Sequence, residues 1–537
     1  MLPAISFYTF LFLALLALPA AMILAVLVFF EYERRRLQEP GQGWLARMLA
    51  QRRIAARFAA RFPRTALFLA HRLNPHAPWG LPATLATAVI VAGMWFFLGV
   101  LEDIASKDPL VVLDLRLHNS VSMFRTERMT RIMLAITELG GAAMMVLLCT
   151  GAALRSLARA RRRLAVTWVL ALAGTALLTA GLKTLFGFKR PIEAIVSAQQ
   201  GSFPSGHMLS ATVVYGLLAA LLLGSRGSKP ARAAGVTLLL LTIVGIGLSR
   251  LYLGVHWPSD LLGSMALALV MLALLLFFLH YTGPVGWIDS FRIPPWSRAF
   301  AIAGTSALAL ALPAAAILSN RAQLIPIEPP AAAVPVGLRE LLASLPPAMP
   351  RWSEDLIGGR MEPVSLVLVG SRDEIEAGFV RAGWRRGDLP TPVRVVQEAI
   401  AALRNLPDPS GPATPAFVLD RPQGATYEKQ DRSAPSIRRR HHTRLWQTKY
   451  CLAPACRPVW VATASFDVGL RLSEGMFLPT HRIDPALDAE RALIAADLTA
   501  AGARDEGRVM VSPPVRGKNA AGDPFWTDGA AVVLVMP

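Results

Sequence analysis

The chain has 537 residues, of which 54% are hydrophobic, with a mean hydropathy of +0.44 and a formal net charge of +19. This composition excludes an ordinary water-soluble globular protein and favours a membrane protein. Nucleic acid is not the expected partner, because 29 Lys and Arg against 12 Asp and Glu fall in residues 1–319, where basic loops beside apolar helices produce such an excess anyway.

Apolar runs of about 20 residues, the length that crosses a bilayer, recur through residues 1–319 and not afterwards. They predict eight spans, near residues 5–30, 82–101, 131–153, 164–185, 207–224, 233–249, 258–280 and 299–318. The first run is long for a signal peptide and predicts a retained helix. The expected fold class is mainly α: a polytopic transmembrane helix bundle of about eight spans, followed by a soluble α+β domain.

The distribution of basic residues predicts the orientation. The loop after the first span carries ten arginines between Arg34 and Arg72, whereas residues 102–131 mix acids and bases. The positive-inside rule makes the first loop cytoplasmic, and alternation then places residues 183–207, 249–260 and everything after Asn320 on the outer face. We expect a multi-pass protein of the bacterial inner (cytoplasmic) membrane whose C-terminal domain is periplasmic.

Composition changes along the chain predict five segments. Residues 325–350 are rich in Pro and Ala, which is typical of a semi-rigid spacer. Beyond it, β-like runs at 364–369, 459–464 and 530–535 alternate with helical stretches. The segments are an N-terminal helix and basic cytoplasmic loop (1–80), a central transmembrane domain (81–285), an additional transmembrane helix (286–324), the linker (325–350) and the soluble domain (351–537).

Three outer-face segments contain polar residues suited to a phosphate site. Lys183, Arg190 and Arg250 supply three cations, and an arginine fork matches two phosphate oxygens at once. Ser205 offers a hydroxyl donor, and Gly206 lies where a loop enters a helix, so that its N–H can approach an oxyanion closely. These residues are expected to hold a phosphate without a metal ion or a cofactor.

Two histidines can divide the chemistry of phosphoryl transfer, which needs a nucleophile and an acid for the leaving oxygen. Asp260 follows His256 by four residues, so its carboxylate can fold back onto the imidazole and orient His256 as the nucleophile. His207 is then the candidate acid. Singly, such residues are often snorkelling cations or satisfied polar groups. Their convergence on one side of a membrane, where each buried charge costs roughly 2.5–3.5 kcal/mol, favours a functional site.

These residues resemble the signatures of the type 2 phosphatidic acid phosphatase superfamily, KxxxxxxRP, PSGH and SRxxxxxHxxxD, which the chain matches as Lys183 to Pro191, Pro204 to His207 and Ser249 to Asp260. The resemblance covers about residues 85–280 and implies a six-helix phosphatase core. It also implies that His256 is phosphorylated while Asp260 orients it and His207 protonates the leaving group. The remaining motif residues, Lys183, Arg190, Ser205, Gly206 and Arg250, would bind the phosphate.

The polar half resembles the LssY-like C-terminal domain over about residues 345–537, a resemblance that carries no assigned mechanism. His441, His442, His481, Asp467 and Asp484 are candidates for a metal or hydrolytic site, although histidines beside arginines also occur on basic surfaces. The basic run 438–444 is a candidate for contact with anionic headgroups or a lipid-linked saccharide. Cys451 and Cys456 are close enough for a disulfide on the outer face.

The sequence therefore predicts a lipid phosphatase or pyrophosphatase acting on undecaprenyl pyrophosphate, phosphatidic acid or phosphatidylglycerol phosphate, with the bilayer and a lipid phosphate as its partners. It names no protein partner. Two alternatives stay open. One is a phosphotransferase that passes its phosphoryl group from a lipid pyrophosphate to an acceptor on the polar domain. The other is a membrane-anchored binding or secretion-associated protein.

Overall fold

The computed structural model describes residues 60–280 and 333–537, apart from 75–78, 107–108, 192–193, 195–200, 226–227, 390–391, 409, 432, 434 and 473–478. These residues form two compact units, one helical and one built around a β-sheet. The predicted spans near 5–30 and 299–318 lie outside the described residues, as does almost all of the predicted segments 1–80 and 286–324.

The described part of the helical unit consists of helices α1 to α9, except that Leu115–Ser120 of α3 group with the second unit. Their bounds are α1 (Pro63–Arg72), α2 (Leu81–Ser106), α3 (Pro109–Ser122), α4 (Glu127–Glu138), α5 (Ala142–Ala158), α6 (Arg162–Phe186), α7 (Gly206–Leu223), α8 (Lys229–Tyr252) and α9 (Pro258–His280). Six stretches of the described chain are long and apolar enough to cross a membrane: Leu81–Ser106, Glu127–Ala158, Arg162–Phe186, Gly206–Leu223, Lys229–Tyr252 and Pro258–Leu279. They coincide with the six predicted spans that the structure describes, so the prediction of a multi-pass membrane protein is confirmed.

Helices α7 and α9 are the most buried of these spans, and they pack against each other and against α2 and α6. Glycine permits the closest approaches. A Cβ on Gly216 of α7 would lie 2.9 Å from Leu272 Cδ2, and one on Gly93 of α2 would lie 2.8 Å from Val270 Cγ2. Small residues at helix contacts allow this packing within a bilayer. These contacts hold the middle of α9 tightly against α7 and α2.

The second unit is an α+β domain whose main sheet has nine strands among the described residues. Seven lie in the order β12-β15-β4-β10-β9-β8-β5, with β1 beside β9 and β11 beside β10. Two small sheets pair β13 with β14 and join β3-β2-β6-β7. The strands are β1 (Val334–Val336), β2 (Trp352–Glu354), β3 (Arg360–Pro363), β4 (Leu366–Val369), β5 (Arg385–Arg386), β6 (Phe417–Val418), β7 (Arg421–Pro422), β8 (Ala425–Gln430), β9 (Arg440–Leu452), β10 (Arg457–Leu472), β11 (Pro479–Ile483), β12 (Arg504–Met510), β13 (Val515–Lys518), β14 (Pro524–Thr527) and β15 (Ala530–Val535).

Four helices complete this unit: α10 (Leu338–Ala343), α11 (Arg372–Arg381), α12 (Pro392–Arg404) and α13 (Leu487–Ala500). The three β-like runs predicted from the sequence become β4, β10 and β15, which are neighbours at the centre of the sheet. Apolar side chains cover both faces there, as expected for buried strands. The expected fold class, a helix bundle followed by an α+β domain, is confirmed.

The predicted linker 325–350 is wrong over its second half. From Val334 onward the chain forms β1 and α10, and Val336, Leu341 and Leu345 are at most 3% exposed within a core of the sheet domain. Val336 lies in β1, Leu341 in α10 and Leu345 after that helix, so the segment packs through single apolar side chains from successive elements. Residues 325–332 lie outside the described chain.

Candidate active site

His256 lies in the short turn between α8 and α9, and it is only 1% exposed. Its Nδ1 is 3.1 Å from Asp260 Oδ2, and the same oxygen accepts a hydrogen bond from the backbone N–H of Trp257 at 2.9 Å. Asp260 reaches back because it occupies the first turn of α9. This contact assigns the Nδ1 proton to the side that faces Asp260 and leaves Nε2 for chemistry.

Arg190 and Lys183 converge on the opposite side of the imidazole. Arg190 Nη1 lies 3.5 Å from His256 Nε2 and donates to the carbonyl oxygen of Val255. Lys183 Nζ and Arg190 Nη2 both donate to the carbonyl oxygen of Gly201, at 2.9 and 3.3 Å. A single carbonyl thus holds the two cations side by side, and Arg190 brings one of its nitrogens to Nε2 of His256.

Burial lowers the pKa of His256 well below its ordinary value, and the charges of Arg250, Arg190 and Lys183 lower it further. The His207 ring acts on His256 in the same direction. His256 is therefore a neutral imidazole at neutral pH, the form whose Nε2 lone pair can attack an electrophile.

The N-terminus of α7 contributes Ser205, Gly206 and His207. Ser205 is the N-cap, since its Oγ accepts from the N–H of Met208 at 3.4 Å. A Cβ on Gly206 would lie 3.0 Å from Thr179 Cγ2 of α6, so only glycine fits there without a shift of the neighbour. The positive end of the α7 dipole and its free N–H groups suit an anion.

Arg250 lies in the last turn of α8 and is 9% exposed, with Nη1 donating to Thr137 Oγ1 at 3.0 Å. Ser264 joins α9 to α7, because its Oγ donates to the carbonyl oxygen of Asp260 and accepts from the N–H of Ser205 at 2.7 Å. Direct contacts, or electrostatic interaction with His256, thus bring together the three predicted motif segments, residues 183–191, 204–207 and 249–260. The arrangement can hold a phosphoryl group between the cations and present it to a nitrogen nucleophile.

Sequence reasoning missed Asp114 and the helix that carries it. Helix α3 occupies part of the predicted 102–131 loop, and Asp114 is 5% exposed there. Asp114 Oδ1 accepts from the N–H of Ser259 at 2.8 Å, and Oδ2 accepts from Ser259 Oγ at 2.5 Å. Burial raises the pKa of Asp114 to about 8, although these two hydrogen bonds lower it. The residue thus caps the start of α9, next to Asp260. Its apolar flanks, Val111-Val112-Leu113 and Leu115, were the signal for a buried helix.

The candidate residues of the second unit separate into two groups. Asp467 Oδ1 lies 3.1 Å from His442 Nδ1, and Asp467 Oδ2 lies 3.3 Å from His481 Nδ1. His441 faces the other side of the sheet, with Nδ1 2.8 Å from Glu490 Oε2, and Asp484 accepts from the N–H of Ala486. Within the described residues, no three His, Cys, Asp or Glu side chains are grouped to hold a metal ion.

Cys451 and Cys456 form a disulfide, which the sequence permits without deciding it, while Cys149 is free and buried. The bond closes the turn between β9 and β10, which are antiparallel neighbours. The second unit therefore carries the kind of cross-link that persists in an oxidising compartment.

Comparisons with known proteins identify both parts of the chain. The PAP2 superfamily model matches residues 164–284, a range that contains all eight predicted site residues, and the LssY C-terminus model matches residues 347–531. Both resemblances are thus confirmed. The fold and these matches define a multi-pass membrane protein that carries a PAP2 superfamily segment and an LssY C-terminus segment.

The chain is also similar to a curated protein and to a solved structure. The chain is 38% identical over 91 residues to phosphatidylglycerophosphatase B of Bacillus subtilis (strain 168), which amounts to 16% of this chain and 40% of that protein. The chain thus matches two fifths of this relative's length. The crystal structure of the first transmembrane PAP2 type phosphatidylglycerolphosphate phosphatase from Bacillus subtilis is matched at 25% identity, over 36% of this chain and 98% of that one, with a TM-score of 0.33.

Proposed function

We propose that this protein is a membrane phosphatase that hydrolyses the phosphomonoester or pyrophosphate of a lipid through a phosphohistidine intermediate. The observation that carries the proposal is the environment of His256. Its Nδ1 lies 3.1 Å from Asp260 Oδ2, and its Nε2 lies 3.5 Å from Arg190 Nη1. A neutral imidazole with one nitrogen fixed by a carboxylate and the other facing cations is suited to attack on phosphorus.

In this mechanism the Nε2 lone pair of His256 forms a bond to phosphorus while the bond to the leaving oxygen breaks. His207 donates a proton to that oxygen, and Asp260 stabilises the charge that develops on the imidazole. Water then attacks the phosphorus, His207 takes up a proton from it, and phosphate leaves His256. His207 thus acts as an acid in the first step and as a base in the second.

The phosphate-binding residues lower the barrier by stabilising the extra charge of the transition state. Lys183, Arg190 and Arg250 supply three positive charges, and Ser205 with the N–H of Gly206 supplies neutral donors. Such donors act strongly because the site is fixed before the reaction and is shielded from water. A lipid substrate fits a site built from the ends of membrane-spanning helices.

The relative named phosphatidylglycerophosphatase B suggests phosphatidylglycerol phosphate as one substrate to test, beside phosphatidic acid and undecaprenyl pyrophosphate. We further propose that the protein resides in a bacterial inner membrane with the site and the second unit on the periplasmic side. The basic loop of residues 34–72 and the Cys451–Cys456 disulfide both support this orientation.

The test is release of inorganic phosphate by the detergent-solubilised full chain from these three lipids, with EDTA present. We expect release from at least one lipid, unaffected by EDTA, and a loss of at least about 1000-fold in His256→Ala, because the covalent step then has no nucleophile. His441→Ala, a histidine of the second unit, is the matched control and should retain full activity. Equal release by His256→Ala and the native chain would contradict the proposal.

A phosphotransferase remains the second candidate function. Its support is the presence of a whole second unit whose fold contributes none of the phosphate-binding residues. In that case phosphate would leave His256 only when an acceptor is added, so phosphate release without acceptor distinguishes the two activities.

A further inference from the structure

Glu138 is an acidic residue in the middle of an otherwise uncharged part of the chain. No other Asp, Glu, Lys or Arg occurs between Arg131 and Arg155, and this part lies within Glu127–Ala158, one of the stretches that can cross a membrane. Ionisable side chains in such stretches are costly to bury and mostly serve a function. Glu138 has no part in the mechanism proposed above.

The neighbours of Glu138 in the chain contact two residues of the candidate active site. Glu138 ends α4, and a short turn to α5 follows it. Thr137 Oγ1 accepts a hydrogen bond from Arg250 Nη1 at 3.0 Å, and a Cβ on Gly140 would lie 3.5 Å from His207 Cβ. Glu138 therefore lies between a residue that holds Arg250 and a residue that packs against His207.

Packing against two other helices fixes the turn that follows Glu138. Tyr215 of α7 donates a hydrogen bond to the carbonyl oxygen of Leu139 at 2.7 Å. A Cβ on Gly140 would lie 2.8 Å from Ile246 Cγ2 of α8, so glycine permits a close approach of the turn to that helix. The position of Glu138 is thus set relative to α7 and α8, the helices that carry His207 and Arg250.

The carboxylate of Glu138 shares a cation with the active site. It is partly exposed and interacts electrostatically with Arg250, which also acts on His207 and His256. Glu138 Oε2 lies 3.3 Å from the position of a Cβ on Gly141, so the side chain extends along the turn. A carboxyl that solvent reaches and that has a cationic partner is ionised at pH 8.

The leaving group of a bound substrate is expected to extend toward this turn. In an in-line displacement, Nε2 of His256 and the leaving oxygen lie on opposite sides of phosphorus, and His207 is the residue that protonates the leaving oxygen. The turn after Glu138 packs against His207. Whatever is attached to the leaving oxygen therefore passes near the carboxylate.

The charge of the leaving group differs between two classes of lipid substrate. In a phosphomonoester, the P–O bond breaks and the proton of His207 converts the leaving oxygen into a neutral alcohol. In a pyrophosphate, the same step releases a lipid monophosphate, whose other oxygens are negatively charged before and after the proton transfer. A nearby carboxylate repels the second leaving group and not the first.

We propose that Glu138 makes the site select lipid phosphomonoesters over lipid pyrophosphates. This inference rests on the proposed phosphatase function and chooses between the two substrate classes that it includes. Glu138 is a specificity-determining residue that acts on the leaving group through its charge. The phosphoryl group that is transferred is held by the same cations in both classes.

The test compares two lipids that share the same diacylglycerol part: phosphatidic acid, a monoester, and diacylglycerol pyrophosphate. Initial release of inorganic phosphate by the detergent-solubilised full chain at pH 8 gives kcat/KM for each lipid. Removal of one like charge several ångström from the leaving group should favour the pyrophosphate. We expect Glu138→Gln to raise the ratio of kcat/KM for the pyrophosphate to kcat/KM for the monoester by about tenfold.

Three further variants separate the effect of charge from a structural effect. Glu138→Ala removes the same charge and should raise the ratio as well, also if Glu138→Gln does not fold. Glu138→Asp keeps the charge and should keep a ratio close to the native one. Glu127→Gln is the matched control, because Glu127 begins the same helix and its side chain is 84% exposed. Thermal unfolding verifies that each variant is folded.

A carboxylate that only stabilised the start of α5 would affect both lipids equally. Equal changes of kcat/KM for both lipids in Glu138→Gln and Glu138→Ala, with an unchanged ratio, would therefore overturn the selection by Glu138 and leave the phosphatase function intact. Native release from undecaprenyl pyrophosphate but from neither phosphatidic acid nor phosphatidylglycerol phosphate would overturn the selection alone. No release from any of these lipids would overturn the proposed function and the selection together.

Discussion

At the scale of single residues, His256 owes its proposed role to the neighbours of its two ring nitrogens. Asp260 contacts Nδ1, and Arg190 lies 3.5 Å from Nε2. Burial depresses the pKa of the ring, and the charges of Arg250, Arg190 and Lys183 depress it further. The same cations that are proposed to bind phosphate thus favour the unprotonated form of the proposed nucleophile. An anionic substrate would partly neutralise the charges of these cations only once it is bound, so the free enzyme keeps His256 neutral.

The pKa shift of His256 predicts the acid side of the pH profile. A neutral His256 is the reactive form, and its pKa lies well below 6.5 because the ring is buried beside three cations. The ring therefore stays neutral as the pH falls from 8 to 6. After correction for ionisation of the substrate, kcat/KM should not decline across this range. A decline with an apparent pKa near 6.5 that is assigned to the ring by histidine NMR would contradict the assignment.

His207 and His256 should differ in their response to the leaving group. His207→Asn removes the proton donor, so hydrolysis of a lipid phosphate with a poor leaving group should fall by about 10²- to 10⁴-fold. An aryl phosphate leaves without protonation, so formation of the phosphoenzyme from it should be much less affected. His256→Ala should abolish both reactions. The rate of phosphoenzyme formation is measured by rapid mixing as release of the aryl alcohol. If His207→Asn lost the same factor of activity with both substrates, His207 would be excluded as the acid.

At the scale of helices and strands, the start of α9 is the element on which the site depends. Asp114 of α3 holds Ser259, Ser264 links Asp260 to Ser205, and Trp257 Nε1 donates to the carbonyl oxygen of Lys189. Each contact joins α9 to a different part of the helical unit. The positions of His256 and Asp260 therefore depend on Asp114, Ser259 and Ser264, which are outside the set of proposed phosphate-binding residues.

Asp114 should act as a positioning residue. Asp114→Ala removes both acceptors of Ser259 and should lower kcat by roughly tenfold, the value of one or two hydrogen bonds, with little change in KM. Asp114→Asn keeps one acceptor and resembles the protonated carboxyl, so it should recover most of the activity. Steady-state kinetics measures kcat and KM of both variants, and thermal unfolding first verifies that each variant is folded. A loss in Asp114→Ala confined to KM would show that the residue serves binding instead.

At the scale of the whole molecule, features that depend on a local sequence signal could be predicted, whereas features that depend on tertiary packing could not. The six described spans and the strands β4, β10 and β15 come from continuous apolar runs, which are local signals. The site residues were predictable because their motifs are linear and specific. Helix α3 was missed because its charges at Asp114 and Arg116 resemble a polar loop. The packing of residues 334–349 was not predicted because their prolines suggest a spacer. The segment folds because Leu341 and Leu345 are buried in a hydrophobic core, which the local sequence does not reveal.

The buried polar residues of the main sheet were only partly predictable from the sequence. His442, His481 and Asp467 were candidates by residue type, but Thr463 and Ser465 carry no motif. Their joint location depends on the register of three strands, which a single sequence does not determine.

The proposed orientation predicts how the cysteines respond in intact cells. Cys456 is exposed and bonded to Cys451, so a membrane-impermeant maleimide should label the second unit only after mild reduction. Cys149 is buried in α5 and should not react. Labelling is read by mass spectrometry, with Cys456→Ser as control. Labelling of the native chain without reduction, or only after the cells are opened, would contradict a periplasmic second unit.

The most direct test of the central claim is isolation of the covalent intermediate. The full chain is mixed with a lipid phosphate, quenched in alkali, in which phosphohistidine is stable, and digested for mass spectrometry. The account predicts a phosphoryl group on His256, absent in His256→Ala and increased in His207→Asn supplied with an aryl phosphate, because the hydrolysis step is then slow. Phosphate release by the native chain with no phosphoryl group on His256 in any of these samples would contradict the phosphohistidine mechanism.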